Sequence, residues 1–309
     1  MSHPKPVVLC ILDGWGLREE TVGNAPALAH TPNFDRLMSK GPHAQLITHG
    51  NDVGLPFGQM GNSEVGHTNI GAGRVVAMDL GQIDLAIEDG SFMKATALLK
   101  FIETLQATGG TAHLIGVVSD GGVHGHISHI IAAAQTIHAA GVPVIIHAIT
   151  DGRDVAPASS DKFIKELVDG LPVAASVGTV IGRYWALDRD NRWERVQTAY
   201  EAIVHGKGGH AHAAQDAVGI AYAAGKTDEF IPATVVGGYS GIAQGDGLFC
   251  FNFRADRARE ILAAIADPDF AGFDRGELPP LAARLGMVEY SDAHNAWYDA
   301  VFPKRDIRN

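Results

Sequence analysis

The stretch that decides the fold is AHLIGVVSDGGVHGHISHIIAAAQTIHAAGVPVIIHAITDGRD, residues 112–154. Two largely apolar segments, Ala112–Val118 and Val142–Ile149, are predicted strands of a parallel sheet. Between them, Ile127–Ala140 has the pattern of a helix, and Gly141 is a typical residue at a helix C-terminus. Because parallel strands are joined by crossover helices, this unit predicts an α/β fold, a parallel sheet with helices on both faces.

The same alternation continues along most of the chain. Further helices are predicted at Phe92–Thr108, Ser159–Leu171, Trp193–Val204, Ala211–Ala224 and Arg257–Ala266, and further strands at Ala175–Ile181 and Gly247–Phe253. Before it, the apolar run Val7–Leu12 predicts one more buried strand, and residues 50–73 form a loop region rich in Gly, Asn and Ser. We therefore expect a first domain at 1–78, a second at 79–300, and the beginning of a polar linker at 301–309.

Composition excludes several classes of protein. With 46% hydrophobic and 19% charged residues, the chain is globular rather than disordered. The net charge of −11 argues against nucleic acid as a partner. The apolar run near the start is too short for a signal peptide, and the most apolar long window, Ile130–Ile149, is interrupted by polar residues and Pro143. We therefore expect a cytoplasmic protein without a membrane partner, in which Cys10 and Cys250 are free thiols.

Charged residues gather directly after the predicted strands. They are Asp13, Asp120, His124, Arg153, Asp154, Arg183, Arg189, Arg254 and Arg257. Because the carboxyl ends of parallel strands meet at one edge of a sheet, we expect these side chains to converge. Guanidinium groups bind phosphates and carboxylates through paired hydrogen bonds, so a converging set predicts an anion site. The alternative is that the arginines form ordinary surface ion pairs, which is the better interpretation of any single one.

Two other groups of polar residues allow more than one interpretation. His124, His126 and His129 are spaced so that they could hold zinc. Alternatively, His126 and His129 lie on the first turns of a helix and face water, while His124 contacts a phosphate. Ser63 could be a nucleophile at a helix N-terminus, or it could belong with Asn62 to a plain helix cap, which spacing alone favours.

Seven long motifs closely resemble one enzyme family. They are LDGWG at 12–16, NAPALAHTPNFDRL at 24–37, GQMGNSEVGHTNIGAGR at 58–74, SDGGVHGH at 119–126, DGRDVAP at 151–157, GRYWALDRDNRWER at 182–195 and FNFRADRAR at 251–259. In this order they resemble cofactor-independent phosphoglycerate mutase, the 2,3-bisphosphoglycerate-independent enzyme of the alkaline phosphatase superfamily. The DGRD and GRYWALDRD motifs favour this family over the related phosphopentomutases.

The resemblance implies an activity and a domain plan. The family is an isomerase of glycolysis that interconverts 3-phosphoglycerate and 2-phosphoglycerate through a phosphoserine intermediate, without 2,3-bisphosphoglycerate. A substrate-holding transferase domain is inserted into a phosphatase domain that binds two manganese ions. The resemblance thus implies that residues 1–78 are part of an alkaline-phosphatase-like α/β domain and that residues 79–300 are the transferase domain. We expect the protein to be a monomer.

Roles for individual residues follow from the same motifs. Asp13 and Ser63 resemble metal ligands, and Ser63 also resembles the nucleophile that becomes phosphoserine. Asp154 resembles the residue that holds the glycerate hydroxyls and acts as general base. The residues that resemble the family's phosphate and carboxylate contacts are His124, Arg153, Arg183, Arg189, Arg254 and Arg257.

One departure from the family pattern affects the expected activity. The remaining metal ligands of the family lie in a C-terminal piece of the phosphatase domain, and their motifs do not occur before Asn309. Two metal ions need about eight or more ligands, whereas Asp13 and Ser63 supply two. We therefore expect a truncated mutase that is inactive alone. The alternative is a non-catalytic module that binds phosphorylated acids.

Overall fold

The computed structural model describes residues 6–55, 59–76, 78–277 and 279–304, without the side chains of residues 51 and 64. The chain divides after Val76 into two compact units. This division lies next to the domain boundary expected at residues 78 and 79. The assignment of the two units to a phosphatase and a transferase domain stays a prediction.

The described residues of the smaller unit form three helices. They are Ala25–Leu28 (α1), Pro32–Lys40 (α2) and Ser63–Ala72 (α3), with a 3₁₀ turn at Gly50–Val53. The side chain of Asn62 caps α3 by accepting the backbone N–H of Val65 at 3.0 Å. Helix α3 ends at Gly73, whose φ of 65° is the left-handed conformation that glycine adopts most easily.

The prediction of a buried strand at Val7–Leu12 is wrong. These residues have irregular backbone, and Val7 and Val8 are 95% and 85% exposed. Among the described residues of the smaller unit there is no strand with which this segment pairs. Because a strand is stabilised only by neighbours that satisfy its backbone and cover its side chains, an apolar run alone does not fix one.

The larger unit is built from helices and strands that alternate. The helices are Asp79–Glu88 (α4), Thr96–Thr108 (α5), Ile127–Ala139 (α6), Ser160–Gly170 (α7), Arg183–Ala186 (α8), Trp193–His205 (α9), Ala214–Ala223 (α10) and Ala255–Ala266 (α11), with 3₁₀ turns at Phe92–Lys94, Asp228–Phe230 and His294–Ala296. The strands are Ala112–Val117 (β1), Val144–Thr150 (β2), Ser176–Gly182 (β3), Gly209–Ala211 (β4), Thr234–Val236 (β5), Gly247–Cys250 (β6), Ala283–Val288 (β7) and Asp299–Phe302 (β8).

The strands form one sheet in the order β4-β5-β3-β2-β1-β6-β7-β8. All neighbouring pairs are parallel except β3 and β5. The chain moves from β1 to β2 in one direction and from β6 to β7 in the other. Right-handed crossovers therefore place α6 on one face and α11 on the other. The predicted α/β fold with a parallel sheet is confirmed, with the difference that the pair β3 and β5 is antiparallel.

Several predicted segments differ from the structure. The loop region expected at residues 50–73 contains helix α3, and the helix expected at Phe92–Thr108 is a 3₁₀ turn followed by α5. The strand expected at Gly247–Phe253 ends at Cys250. The helix expected at Ala211–Ala224 begins only at Ala214, because residues 209–211 pair with β5 as strand β4. The linker expected from residue 301 begins later, since β8 continues to Phe302; residues 305–309 lie outside the described residues.

The arrangement of the strands positions the candidate site. Strands β3, β2, β1 and β6 are adjacent and parallel, so their carboxyl ends lie along one edge of the sheet. They are also fully buried, apart from Ser176 and Ile145. The loops that follow these four strands therefore share a rigid base. No helix in the described part of the chain is long and apolar enough to cross a membrane.

Candidate functional site

A buried ion pair lies at the ends of β2 and β3. Arg183 is 4% exposed, and its Nη1 donates to Asp151 Oδ1 and to Asp154 Oδ2, each at 2.6 Å. Asp151 also accepts from Ser119 Oγ at 2.8 Å and from the backbone N–H groups of Arg153 and Asp154. Burial would raise the pKa of Asp151, but the backbone of Asp154 and the charge of Arg183 outweigh it and lower that pKa. A charged carboxylate therefore fixes the loop after β2.

His124 follows β1 and lies beside this ion pair. Its Nε2 is 3.8 Å from Asp154 Oδ2, and its Nδ1 is 3.9 Å from Asp256 Oδ1. Burial, and after it the positive charge of Arg183, lower the pKa of His124 to about 4. The imidazole is therefore neutral at neutral pH in the ligand-free protein.

Three arginines of the site are about half exposed and contact carboxylates. Arg189 Nη1 donates to Asp256 Oδ2 at 2.8 Å, and Arg254 Nε lies 3.1 Å from Asp256 Oδ1. Arg153 Nη1 is 3.6 Å from Glu229 Oε1. Their guanidinium groups remain accessible to a ligand because roughly half of each side chain is exposed.

Arg257 lies among other cations. Its Nη1 donates to the backbone carbonyl of Leu187 at 3.0 Å. Burial, and then the charges of Arg189, Arg183 and Arg153, lower the pKa of Arg257. Like charges repel one another at this range, so their proximity costs stability unless an anion is bound. The sequence-predicted arginines thus lie at one edge of the sheet, and those that are half exposed have the chemistry to bind a ligand anion.

The loop that carries Arg189 is held by two acidic residues. Asp188 Oδ2 accepts two backbone N–H groups of the loop, at 2.9 and 3.0 Å. Glu260 Oε1 accepts the backbone N–H of Asn191 at 3.0 Å. Asn191 has a φ of 56°, and it is the one described residue other than glycine with a positive φ. These bonds hold the loop in a strained conformation that places Arg189 next to α11.

Asp151 and Asp256 are site residues to which the sequence analysis assigned no role. Both occur inside the quoted motifs, in DGRD and in FRADRAR. An acidic residue between or before arginines is a signal for a carboxylate that orders guanidinium groups. Only the structure shows that Asp151 takes this part for Arg183 and Asp256 for Arg189.

The smaller unit holds a second group of polar residues. Ser63 is the first residue of α3, and its Oγ donates to Asp13 Oδ2 at 2.7 Å. The same Oγ lies 3.2 Å from Nδ1 of His67, one helical turn later. Both Ser63 and Asp13 are exposed. An exposed hydroxyl at a helix N-terminus, hydrogen-bonded to a carboxylate, has the position of a nucleophile.

The described residues do not complete a manganese site. Asp13 and Ser63 bring two oxygen donors together, but manganese prefers about six ligands. Among the described residues, no group of three or more His, Cys, Asp or Glu side chains is arranged to hold a metal ion. The donor set therefore fits part of a metal site only.

The structure does not support the zinc alternative. His126 Nδ1 lies 2.7 Å from Ser128 Oγ at the start of α6. His129 is fully buried and its Nε2 lies 2.7 Å from Asp84 Oδ1, so the expectation that it faces water is wrong. Its apolar surroundings in the core, which include Phe253, explain this burial. The part of the chain that the structure describes contains no metal-ligating group around these histidines.

Comparison with known proteins identifies the family. The family described as BPG-independent PGAM N-terminus matches residues 83–292. The 2,3-bisphosphoglycerate-independent phosphoglycerate mutases of Ruegeria pomeroyi and Dinoroseobacter shibae are 68% and 66% identical over 309 residues. The chain spans 61% of the length of each.

A solved structure shows the same fold. The phosphoglycerate mutase of Leishmania mexicana, studied at low cobalt concentration, is 33% identical and superposes with a TM-score of 0.76. The match covers 90% of this chain and 54% of that one. With its seven motifs, its sheet and its sequence match over most of the larger unit, the chain belongs to the BPG-independent phosphoglycerate mutase family and corresponds to the N-terminal part of its members.

Proposed function

We propose that the protein is a phosphoglycerate mutase that interconverts 3-phosphoglycerate and 2-phosphoglycerate. The observation that carries this proposal is that the half-exposed guanidinium groups of Arg189 and Arg254 meet at one carboxylate, Asp256, one residue before Arg257. Phosphoglycerate carries a phosphate and a carboxylate, and guanidinium groups bind both by paired hydrogen bonds. The cluster thus has the charge and the chemistry for this substrate.

The larger unit binds and orients the substrate. Arg189, Arg254 and Arg257 contact its phosphate and carboxylate, together with Arg153 and His124. Arg183 is occupied by two aspartates, so its main effect is to hold Asp154 in place. Asp154 is 23% exposed, and its carboxylate accepts hydrogen bonds from the glycerate hydroxyls. As general base it takes the proton of the hydroxyl that receives the phosphoryl group.

Ser63 takes the phosphoryl group and later returns it. Its Oγ gives its proton to Asp13 and forms a bond to phosphorus as the ester bond to glycerate breaks, and the released glycerate oxygen takes up one proton through water, which leaves Asp13 deprotonated again. After the glycerate reorients, its other hydroxyl attacks the phosphoserine and gives its proton to Asp154. The bond from phosphorus to Oγ breaks in this step, Oγ takes up one proton through water, and Asp154 releases one. The hydrogen bond from Ser63 to Asp13 orients the hydroxyl for the first step.

Manganese belongs to the proposal through Asp13 and Ser63. Bound there, the ion would lower the pKa of the serine hydroxyl and offset charge on the phosphoryl group. Because the described residues supply two donors only, we propose that these 309 residues alone bind phosphoglycerate without turning it over. A chain that binds without turnover behaves as the non-catalytic binding module. The intact mass of the chain after incubation with substrate distinguishes this module from a mutase, because only the mutase reaction adds a phosphoryl group to Ser63.

The relatives also bear on the cofactor. Their names state independence from 2,3-bisphosphoglycerate, and we propose the same for this protein. Glycolysis as the pathway, the cytoplasm as the location and a monomer as the active form are proposals of the same kind.

A fusion protein tests the proposed function. The chain is joined to the part of the Ruegeria pomeroyi mutase that it does not match, and conversion of 3-phosphoglycerate is followed with manganese present and 2,3-bisphosphoglycerate absent. We expect conversion by the fusion, none by the chain alone, and none by the fusion that carries Ser63→Ala. A folded fusion without conversion would contradict the proposed reaction, and activity in the Ser63→Ala fusion would contradict the role of the serine.

A further inference from the structure

Asp256 binds two arginines that the proposed function assigns to the substrate. It is the second residue of α11, and its Oδ2 accepts from Arg189 Nη1 at 2.8 Å. Its Oδ1 lies 3.1 Å from Arg254 Nε. The two arginines come from the loops after β3 and β6, so one carboxylate bridges two segments of the site. A carboxylate of the protein thus uses donors that a ligand anion would need.

The oxygen that faces Arg254 also lies next to a nitrogen of His124. Asp256 Oδ1 and His124 Nδ1 are both buried, and within the described part of the chain neither has a partner with hydrogen-bond geometry, although Oδ1 forms the ion pair with Arg254. The two atoms are 3.9 Å apart, slightly beyond hydrogen-bond distance. Buried polar atoms without partners are rare and unfavourable. A small rotation of the Asp256 side chain would give both atoms a partner, but it would lengthen the contacts with the arginines.

We propose that Asp256 is an internal anion that occupies Arg189 and Arg254 in the ligand-free protein. An incoming phosphoglycerate takes over the two guanidinium groups, and the displaced carboxylate moves to Nδ1 of His124. In this exchange the arginines replace one anion by another, and Asp256 Oδ1 gains a hydrogen-bond partner in His124 Nδ1 while Oδ2 gives up Arg189. This inference rests on the proposed function, because it assigns these arginines to the ligand.

The surrounding charges support such an exchange. His124 is faced by Asp154 and Arg183 on one side and by Arg254 and Asp256 on the other. Burial would raise the pKa of Asp256, but Arg254, Arg189 and His124 lower it. The carboxylate is therefore charged at neutral pH and competes there with ligand anions for the two arginines.

Asp256→Asn tests the competition by the direction of its effect. The amide keeps the size of the side chain and removes its charge. If Asp256 competes with the ligand, 3-phosphoglycerate binds the variant about three- to tenfold more tightly in calorimetric titration, as expected for release of two partly exposed ion pairs. If Asp256 instead aligns the arginines for the ligand, the variant binds more weakly, and the proposal is overturned.

Asp190→Asn is the matched control. It removes the same charge from the loop that carries Arg189, but the Asp190 side chain is 60% exposed and its Oδ2 lies 3.9 Å from Arg192 Nη1. A gain in affinity equal to that of Asp256→Asn would mean that net charge alone is responsible, which would overturn the inference. Inorganic phosphate is titrated as a second probe. Tighter binding of phosphate by Asp256→Asn than by the wild-type protein would support the internal anion. If neither protein binds 3-phosphoglycerate more tightly than inorganic phosphate, this would contradict the proposed function but not the internal anion.

A spectroscopic readout follows the carboxylate itself. In the wild-type protein saturated with 3-phosphoglycerate, we expect a slowly exchanging imidazole proton on Nδ1 of His124 in the NMR spectrum. It should be missing without ligand and in ligand-bound Asp256→Asn. A ligand-bound wild-type spectrum without this resonance would overturn the movement toward His124. The comparison of wild-type protein with and without ligand does not depend on the stability of the variant.

Discussion

Replacing Arg183 by methionine tests how the site is held together. The change removes the guanidinium from between Asp151 and Asp154 and keeps an unbranched side chain. Asp151, 2% exposed, is then a buried carboxylate without a cation. Removing one partner of a buried ion pair costs about 3–5 kcal/mol. We expect a loss of about 3 kcal/mol in the free energy of unfolding, and a melting temperature lower by about 6–12 °C at roughly 2–4 °C per kcal/mol.

Arg189→Met is the control for this prediction. It also removes a guanidinium from a carboxylate, but Arg189 is 46% and Asp256 29% exposed. Water compensates for much of such a loss, so the cost should be under about 1 kcal/mol. Urea denaturation followed by far-UV circular dichroism measures both variants. Equal destabilisation by Arg183→Met and Arg189→Met would refute the reasoning, because burial would then not decide the cost.

The pH dependence of the Arg183→Met effect has a definite sign. The pKa of Asp151 in the folded wild-type protein is below its ordinary value. The stability that this carboxylate contributes is therefore present above its ordinary pKa and is lost as the pH falls through the lowered value. In the variant, burial without the guanidinium raises the pKa of Asp151. Protonation therefore removes the buried charge, and its cost in stability, at a higher pH than in the wild-type protein. The difference between the free energies of unfolding of the two proteins should shrink from about pH 7 to about pH 4. A constant difference would contradict this prediction.

Three further changes test other parts of the structure. His124→Gln should flatten the loss of stability between pH 6.5 and about 4, because unfolded His124 takes up a proton before the folded form does; an unchanged slope in urea titrations would count against this. Gly182→Ala would place a Cβ 2.4 Å from the Glu229 carbonyl oxygen, so we expect a loss of more than about 1 kcal/mol in stability, and a neutral variant would disagree. Asn62→Ala removes the cap of α3 and should speed hydrogen exchange of the Val65 amide about fivefold, which corresponds to about 1 kcal/mol; unchanged exchange would show that the cap contributes nothing.

The central part of the fold could be predicted because its signals are local. The apolar run predicted at Ala112–Val118 is strand β1 at Ala112–Val117, and the one at Val142–Ile149 is β2 at Val144–Thr150. Both strands are buried on their two faces, so nearly every residue is apolar. At the edge of the sheet this signal fails. Strand β7 contains a half-buried Arg284, and β8 has only four residues, so neither shows a continuous apolar run.

The segment Val7–Leu12 shows the opposite failure. Its apolar residues are as dense as those of β1, yet the side chains are exposed. A strand needs partners, and their presence depends on chain elements that a single segment does not reveal. The apolar pattern therefore indicates the ability to form a buried strand, not its formation.

The candidate site was predictable in position and less so in its internal contacts. Strand ends in a parallel sheet converge, which is why His124, Arg183 and Arg254 could be placed at one edge from sequence. Which carboxylate binds which guanidinium depends on loop geometry of a few ångströms. Nothing in the sequence distinguishes the buried Asp151, which fixes Arg183, from the more exposed Asp154 three residues later.

The central claim, that the arginine cluster of the larger unit binds phosphoglycerate, is tested most directly by one titration. 3-Phosphoglycerate is titrated into the 309-residue chain and into its Arg257→Met variant. Arg257 suits this test because, within the described part of the chain, its guanidinium donates one hydrogen bond, to the backbone carbonyl of Leu187. We predict one bound ligand per wild-type chain and at least about tenfold weaker binding by the variant, the loss expected for a charged, desolvated contact. Absence of binding to the wild-type chain, or equal binding by the two proteins, would contradict the account.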